Sequence, residues 1–552
     1  MKKYIIAASV AGLFTFNACS DFLDTQPEGK PSTTTFFTND QEAIDAIDGL
    51  YSRIAQEGMF GREIFWEQGA TTDVVWGKTR GYPTLATLNY TGNESPLKDV
   101  FEYTYMHIAR ANFVIKKLLA KKNEQALTPI ETRSLGEAYF VRGFLHFYAA
   151  YRYGTDKQGV PFVRYEDYAG EYDNAIPPQQ PTVMDNYKLI IQDMDEAVKY
   201  LPRYEDYSDD DFGRAHQAAA IGYKAKTYAY WACWDKTQWQ NVIEQVNLLE
   251  QSYGRQLAEN YEDNFTSDFS KWRNDEYIYT LPSTGGDFGG GCEFGGVVLE
   301  NKGWSIYNGW GQNKPSLDIY NELSKDDENL ISANKGNIRK IRSILEYGQK
   351  FQFFGQERKF YSQADIESGF QINKFMEPFG HADATSEGYV NSNGNWPTCR
   401  LNFPVLRFAD LLLLRAEAYL NTGNAQKAAA DINTVRNRAN VKSLDHTATS
   451  ADIYHERRVE LAFEFYDHLY DLKRWAHSGD ATIKDLALKE LNKHPDVRKY
   501  NDRSDPNSQF TVVPYEDYKI PAKNYQPKNI VFPYPSDVVK KSNGKLKQNE
   551  GY

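Results

Sequence analysis

The feature that most limits what this chain can fold into is a set of helix pairs built around small residues. The clearest runs Leu411-Leu-Leu-Leu-Arg-Ala-Glu-Ala-Tyr-Leu-Asn-Thr-Gly423-Asn-Ala-Gln-Lys-Ala428-Ala-Ala-Asp-Ile432. Apolar residues recur there at three- and four-residue spacing, the period of a helix with one buried face. Gly423 interrupts the pattern and turns the chain. Ala416 lies where two helices would cross, and small residues at a crossing let two backbones approach closely. The segments 132–201 and 215–251 carry weaker copies of the same pattern.

The pairing resembles a tetratricopeptide repeat, a unit that buries its apolar faces only by stacking on neighbours. The expected fold is therefore mainly α, with tetratricopeptide-like helix pairs as a scaffold. Further helices are expected from the caps Thr38-Asn39-Asp40 through Ile54, over about 97–120, and over about 453–475. Between about residues 253 and 404 the helical period fades, and Gly, Asn, Asp and aromatics dominate. Gly285 to Gly296 holds seven glycines in twelve residues. This stretch reads as a loop-rich irregular subdomain with short strands such as Tyr277 to Leu281. The last 75 residues, Pro-rich, read as mostly irregular.

The N-terminus carries an address. Met1-Lys2-Lys3 precedes an apolar run from Tyr4 to Phe16, then Asn17-Ala18-Cys19. That is a secretory signal, too short to span a bilayer. It resembles a bacterial lipoprotein signal, in which Cys19 is acylated and becomes the first residue, although Phe16 stands where Leu is usual. Acyl chains alone would hold a soluble body at a surface. The organisation expected is a signal peptide over 1–18, a tether over 19–40, a helical region over 41–252, the loop-rich subdomain over 253–405, and a helical region with an irregular tail over 406–552. The net charge of −12, from 63 Lys plus Arg against 75 Asp plus Glu, disfavours nucleic acid. Besides Cys19 there are three cysteines, Cys233, Cys292 and Cys399, an odd number that no full disulfide framework can use. No pair of them has the spacing of a metal site.

Several collinear segments together resemble the SusD/RagB family of Bacteroidetes outer-membrane lipoproteins. They are Cys19-Ser-Asp-Phe-Leu-Asp24-Thr-Gln-Pro27, Gly136-Glu-Ala-Tyr-Phe-Val-Arg142-Gly-Phe-Leu-His-Phe-Tyr148 with Tyr153-Gly154 and Val160-Pro161, and Arg407-Phe-Ala-Asp410 through Ala416-Glu417. Ile432-Asn-Thr-Val435-Arg436-Asn-Arg438, Glu456-Arg457-Arg458-Val-Glu460 through Phe463-Glu464, and Asp471-Leu-Lys-Arg474-Trp475 follow in order, then Phe532-Pro533 to Gly551-Tyr552. Glu550 departs from the Pro frequent near that ending. The resemblance implies a body of four repeat-like helix pairs whose repeat side faces a SusC-like TonB-dependent transporter. It also implies a ligand, usually a glycan, held by the loop-rich subdomain at the surface of the outer membrane.

Sugars offer flat apolar faces rimmed by hydroxyls, which Trp or Tyr rings and neighbouring Asn, Gln, Asp or Arg groups complement. Two aromatic segments meet that need. One runs from Phe65-Trp66 and Asp73 to Trp76, Lys78, Arg80 and Tyr82. The other holds Trp304, Tyr307, Asn308, Trp310, Gln312 and Asn313. Trp76, Arg80, Tyr82, Trp304, Tyr307, Asn308 and Trp310 are the ligand-binding candidates, with Trp396 as a further one. Trp231, Trp234 and Trp475 lie in helical pattern and read as core.

Signatures of catalysis are missing. His455-Glu-Arg-Arg-Val459 lacks the second His of a metalloprotease helix, and Gly154 to Gly159 leads into Val160-Pro161 rather than the Lys-Ser/Thr of a P-loop. There is no Gly-x-Ser-x-Gly. Asp209-Asp210-Asp211 lacks the alternation of a Ca²⁺ loop and reads as a solvated acidic turn. No catalytic residue, cofactor or resident metal is expected. The alternatives are a peptide-binding member of the same family and a glycoside hydrolase, which would need two carboxyls about 5–9.5 Å apart across a sugar cleft.

Overall fold

Helices begin where the sequence supplies a cap. Asn39 accepts a hydrogen bond from the Glu42 amide and opens α1 (Asp40–Ile54). Two short turns follow, α2 (Glu63–Trp66) and α3 (Pro83–Ala86), then the long α4 (Ser95–Glu124). Capping boxes formed by Thr128 with Glu131 and by Thr182 with Asp185 start α5 (Pro129–Tyr153) and α6 (Val183–Tyr200). Then come α7 (Gln217–Trp231) and α8 (Trp239–Tyr253), α9 (Leu317–Ser324) and α10 (Ile338–Ser343). The C-terminal part supplies α11 (Phe408–Asn421), α12 (Ala425–Arg438), α13 (Ser450–Glu460), α14 (His468–Ala476), α15 (Ala481–Leu491) and α16 (Ser536–Lys541). This computed structural model describes residues 37–56, 58–76, 83–167, 177–266, 268–282, 313–353, 356–361, 368–376, 401–464, 468–515 and 521–552, with Trp76 described by its backbone.

Each helix from α4 to α8 packs on the next, α11 packs on α7 and α8, and α12 packs on α11. The helix pairs read from the sequence are therefore present as α5–α6, α7–α8 and α11–α12. Gly423, at φ 81°, makes the turn of the last pair. The helix α5 is buried on every face from Ser134 to Tyr153 and forms the centre of the body. Much of the aromatic content is spent here. The Phe144 ring lies 4.8, 5.0 and 5.3 Å from those of Tyr148, Tyr223 and Tyr279. Trp475 is buried, and Trp231 and Trp234 are half-buried against the same core.

Among the described residues, ten short strands pair two by two: β1 (Val74–Trp76) with β3 (Asn313–Pro315), β2 (Tyr277–Leu281) with β8 (Phe403–Arg407), β4 (Ile344–Glu346) with β7 (Phe370–Ile372), β5 (Lys350–Phe353) with β6 (Gln356–Lys359), and β9 (Asp496–Tyr500) with β10 (Phe510–Pro514). All five ladders are antiparallel. A two-stranded ladder is marginal alone, so these depend on the helical body for stability. Two differences from the sequence reading stand out. The stretch 453–475 is not one helix but α13 and α14, separated where Phe463 takes a positive φ of 65°. The C-terminal region holds more order than its prolines suggest, namely α15, α16 and the β9–β10 ribbon.

Candidate functional site

The β1–β3 ladder joins the two aromatic segments found in the sequence. Its register pairs Val74 with Pro315, Val75 with Lys314 and Trp76 with Asn313. Trp76 is the residue from which the segment carrying Arg80 and Tyr82 departs. Asn313 is the residue at which the segment carrying Trp304, Tyr307, Asn308 and Trp310 returns. Both segments are thus tied to one end of one ladder. A second junction follows from β2 and β8, where Leu281 pairs with Phe403. There the chain that leads to Trp304 departs beside the chain that returns from Trp396. Arg80, Tyr82, Trp304, Tyr307, Asn308, Trp310 and Trp396 lie outside the described residues, as does Cys19.

The nearer part of the first segment is structural. Phe65 and Trp66 are core residues, and the Asn313 amide donates to the Phe65 carbonyl at 3.3 Å. Val75 packs with Val497, Tyr515 and Val513, so the β9–β10 ribbon is fastened to the ladder. Sequence reasoning missed this ribbon. Its signal was present: β-branched and aromatic runs at Val497–Tyr500 and Phe510–Val513 flank the turn-rich Asn501 to Ser508.

A buried charge cluster sits at the foot of β1. Arg458 of α13 donates through Nε to Asp73 Oδ1 at 2.8 Å and through Nη2 to Thr72 Oγ1 at 2.9 Å. Glu490 of α15 accepts from the Thr72 amide at 3.0 Å and from the Tyr454 hydroxyl at 2.6 Å. His468 Nε2 lies 3.1 Å from Glu490 and 3.7 Å from Asp73. Burial raises the Asp73 carboxyl and is only partly opposed by Arg458 and His468. Burial alone would also raise Glu490, but Arg458 and His468 hold it well below the usual carboxylate range. Donor atoms of Asp73, His468 and Glu490 fall within 4.8 Å of one another, close enough to share an ion. Arg458 already supplies a cation there, and a dication would be repelled by it.

The acidic turn is also spoken for. Asp209 pairs with Arg273 at 3.0 Å, and Asp211 with Arg133 at 2.8 Å and Arg214 at 3.3 Å. His455, which opens the metalloprotease-like stretch, lies 2.6 Å from Glu322 and 3.4 Å from Asp326.

Comparison with known proteins gives this geometry a family. Residues 283–552 match the family model described as the SusD family, and residues 21–229 match one described as starch-binding associating with the outer membrane. Between them the two matches take in most of the chain. The chain belongs to the SusD family. That family is one of surface glycan-binding proteins without a catalytic role. A SusD-like protein of Bacteroides ovatus is 26% identical, over 98% of this chain and 96% of its own. Among solved structures, one determined with a xylogluco-oligosaccharide has a TM-score of 0.70 at 21% identity, covering 92% of this chain and 99% of its own. A laminarin-binding SusD-like protein has a TM-score of 0.67 at 21% identity, covering 93% and 100%. These likenesses establish the SusD fold.

Many charged letters of the SusD-like stretches between Arg142 and Arg474 form buried ion pairs. Arg142 holds Asp193 at 2.6 Å and Glu166 at 2.8 Å. Arg474 grips Glu417 with both nitrogens at 2.6 and 2.7 Å, and Trp475 Nε1 donates to the same carboxylate at 2.9 Å. Arg457 bridges Asp410 at 2.8 Å and Asp471 at 2.7 Å. Arg407 binds Glu276, Glu460 and Glu464, and Arg438 joins Glu276 at 2.6 Å. Burial would raise Glu276, yet Arg438 and Arg407 bring it down to about 2. In this SusD-family member those letters encode the frame, and the candidate ligand residues lie on the segments between them.

Proposed function

We propose that this protein captures an oligo- or polysaccharide at the cell surface and delivers it to a SusC-like TonB-dependent outer-membrane transporter. Acyl chains on Cys19 hold it in the outer membrane, and the repeat side of the helical body meets the transporter. The observation that carries the reading is the pairing of Trp76 with Asn313. It roots two Trp- and Tyr-bearing segments, far apart in sequence, at one ladder end. The family, and the xyloglucan- and laminarin-type ligands of two proteins with this fold, support a glycan. Trp76, Trp304 and Trp310 provide stacking faces, while Arg80, Tyr82, Tyr307 and Asn308 reach hydroxyls. Trp396 extends the surface from the second junction. The loop-rich region 253–405 is the ligand-binding subdomain, and the regions on either side of it are the scaffold.

Calorimetric titration of residues 20–552 against xyloglucan and laminarin oligosaccharides, other glycans and oligopeptides tests this. Binding to one glycan class without turnover is expected. Trp304→Ala should weaken that binding while leaving the melting temperature nearly unchanged. Binding to peptides alone would keep the family and overturn the ligand.

A further inference from the structure

We infer that Asp73 and Arg458 are positioning residues for the ligand platform, clamping the feet of both β1 and β3 to the helical body. This rests on the glycan-capture reading for its consequence, though not for its geometry. The clamp has two halves. On one side, Arg458 holds the Asp73 carboxylate and the Thr72 hydroxyl, and Glu490 holds the Thr72 amide. On the other, the Ser316 amide donates to the Asp73 carbonyl at 2.9 Å and the Ser316 hydroxyl donates to the Thr72 carbonyl. Ser316 directly follows β3, so one pair of residues, Thr72 and Asp73, receives the helical body and both strands of the ladder. Trp76 stands three residues beyond, about 10 Å along the strand.

Burial makes the clamp strict. Asp73 is 6% exposed, Arg458 5% and Glu490 5%. A buried ion pair adds little net stability over apolar residues of the same size, but its geometry is narrow because each charge must stay satisfied. Such a cluster suits a place where orientation matters. The groups facing it come from every side. Asp73 lies at the foot of β1, and Arg458 and Tyr454 lie on α13. His468 comes from α14, Glu490 from α15, and Lys523 from the C-terminal segment. Glu322 of α9 lies 3.8 Å from Arg458. Lys523 Nζ is buried without a hydrogen-bond partner among the described residues, and Glu490, Asp73 and Asp318 are the carboxylates that act on its charge. Glu490 and Asp73 raise the His468 imidazole above its ordinary range against the burial that would lower it. The cluster therefore keeps its cationic side to higher pH than a free imidazole would.

Backbone hydrogen exchange on the detergent-solubilised full chain, without any glycan, tests the clamp. In Asp73→Asn, peptides covering 72–76 and 313–316 are expected to exchange about tenfold faster, while α5–α6 peptides exchange as in the wild type. Thr72→Val removes only the hydroxyl that Arg458 reaches, and should give a smaller increase confined to the same peptides if Asp73→Asn fails to fold. Ladder exchange, corrected for its chemical pH dependence, should rise with alkaline pH in the wild type and lose that rise in His468→Gln. Unchanged ladder exchange in Asp73→Asn and Thr72→Val would overturn the inference. So would an equal increase in α5–α6, or the wild-type pH profile persisting in His468→Gln. A chain that binds no glycan would leave these exchange results intact, so the two readings fail separately.

Discussion

Lys473 shows what a single buried charge costs here. It is 1% exposed, its Nζ has no hydrogen bond among the described residues, and the rings of Phe532, Tyr470 and Tyr90 surround it at 3.9, 5.2 and 5.4 Å. Burial pushes the amine down to about 7, with Glu67 opposing and Arg152 reinforcing. The unfolded chain keeps its Lys near 10.4, so between pH 7 and 10 it binds more protons than the fold and this group's penalty shrinks as pH rises. Lys473→Met should raise the melting temperature by about 1–3 °C at pH 7, with a smaller gain at pH 10. A gain that does not change with pH would mean that the rings hold the ammonium by cation–π attraction. His455 has the opposite sign. Burial would lower it, but hydrogen bonds to Asp326 and Glu322 raise it to about 9. Its contribution is full below the unfolded value near 6.5 and is lost as pH rises through 9. Melts of His455→Gln should therefore show a deficit against the wild type at pH 6 that narrows at pH 10.

At the scale of elements, close approach decides which helices pair. A Cβ added at Gly136 would sit 2.9 Å from the Leu201 backbone nitrogen, and one at Gly143 3.0 Å from Met194 Cε. Both glycines lie on α5, seven residues apart and therefore on one face toward α6. Gly136→Ala forces a backbone shift rather than a rotamer change, and should cost about 1–3 kcal/mol in urea unfolding. Helix period alone did not locate the break between α13 and α14. The chain leaves the helix there, and Glu464 reaches Lys374 at 2.9 Å and Arg407 at 2.7 Å. Satisfying three buried charges outweighs the few hydrogen bonds that a continuous helix would add. The strands β9 and β10 were likewise missed because prolines and polar residues around them mask a short alternating pattern.

Across the whole molecule, buried ions couple the helical body to the ladders. Arg407 ends β8, while its partners Glu276 and Glu460 lie before β2 and at the end of α13. Arg407→Met would leave Glu276, Glu460 and Glu464 short of a cation. The expected loss is about 3–5 kcal/mol in urea unfolding, and Arg407→Met with Glu464→Gln should recover part of it. The same network explains why the family-like stretches were so legible. Many of their Arg, Asp and Glu letters answer to a partner elsewhere in the chain, as Arg474 does to Glu417 and Arg142 to Asp193.

Local chemistry sufficed for the sequence to determine the helix pairs, their caps and their turns, and short motifs in one order marked the family. Those properties depend on residues within a few turns of one another, so a linear pattern can carry them. Tertiary structure alone decided that Trp76 stands opposite Asn313, that Phe65 and Trp66 are core, and that Asp73 is held by Arg458. These depend on contacts between residues hundreds of positions apart. Such contacts arise from burial and charge satisfaction summed over the whole body, and no local spacing records them.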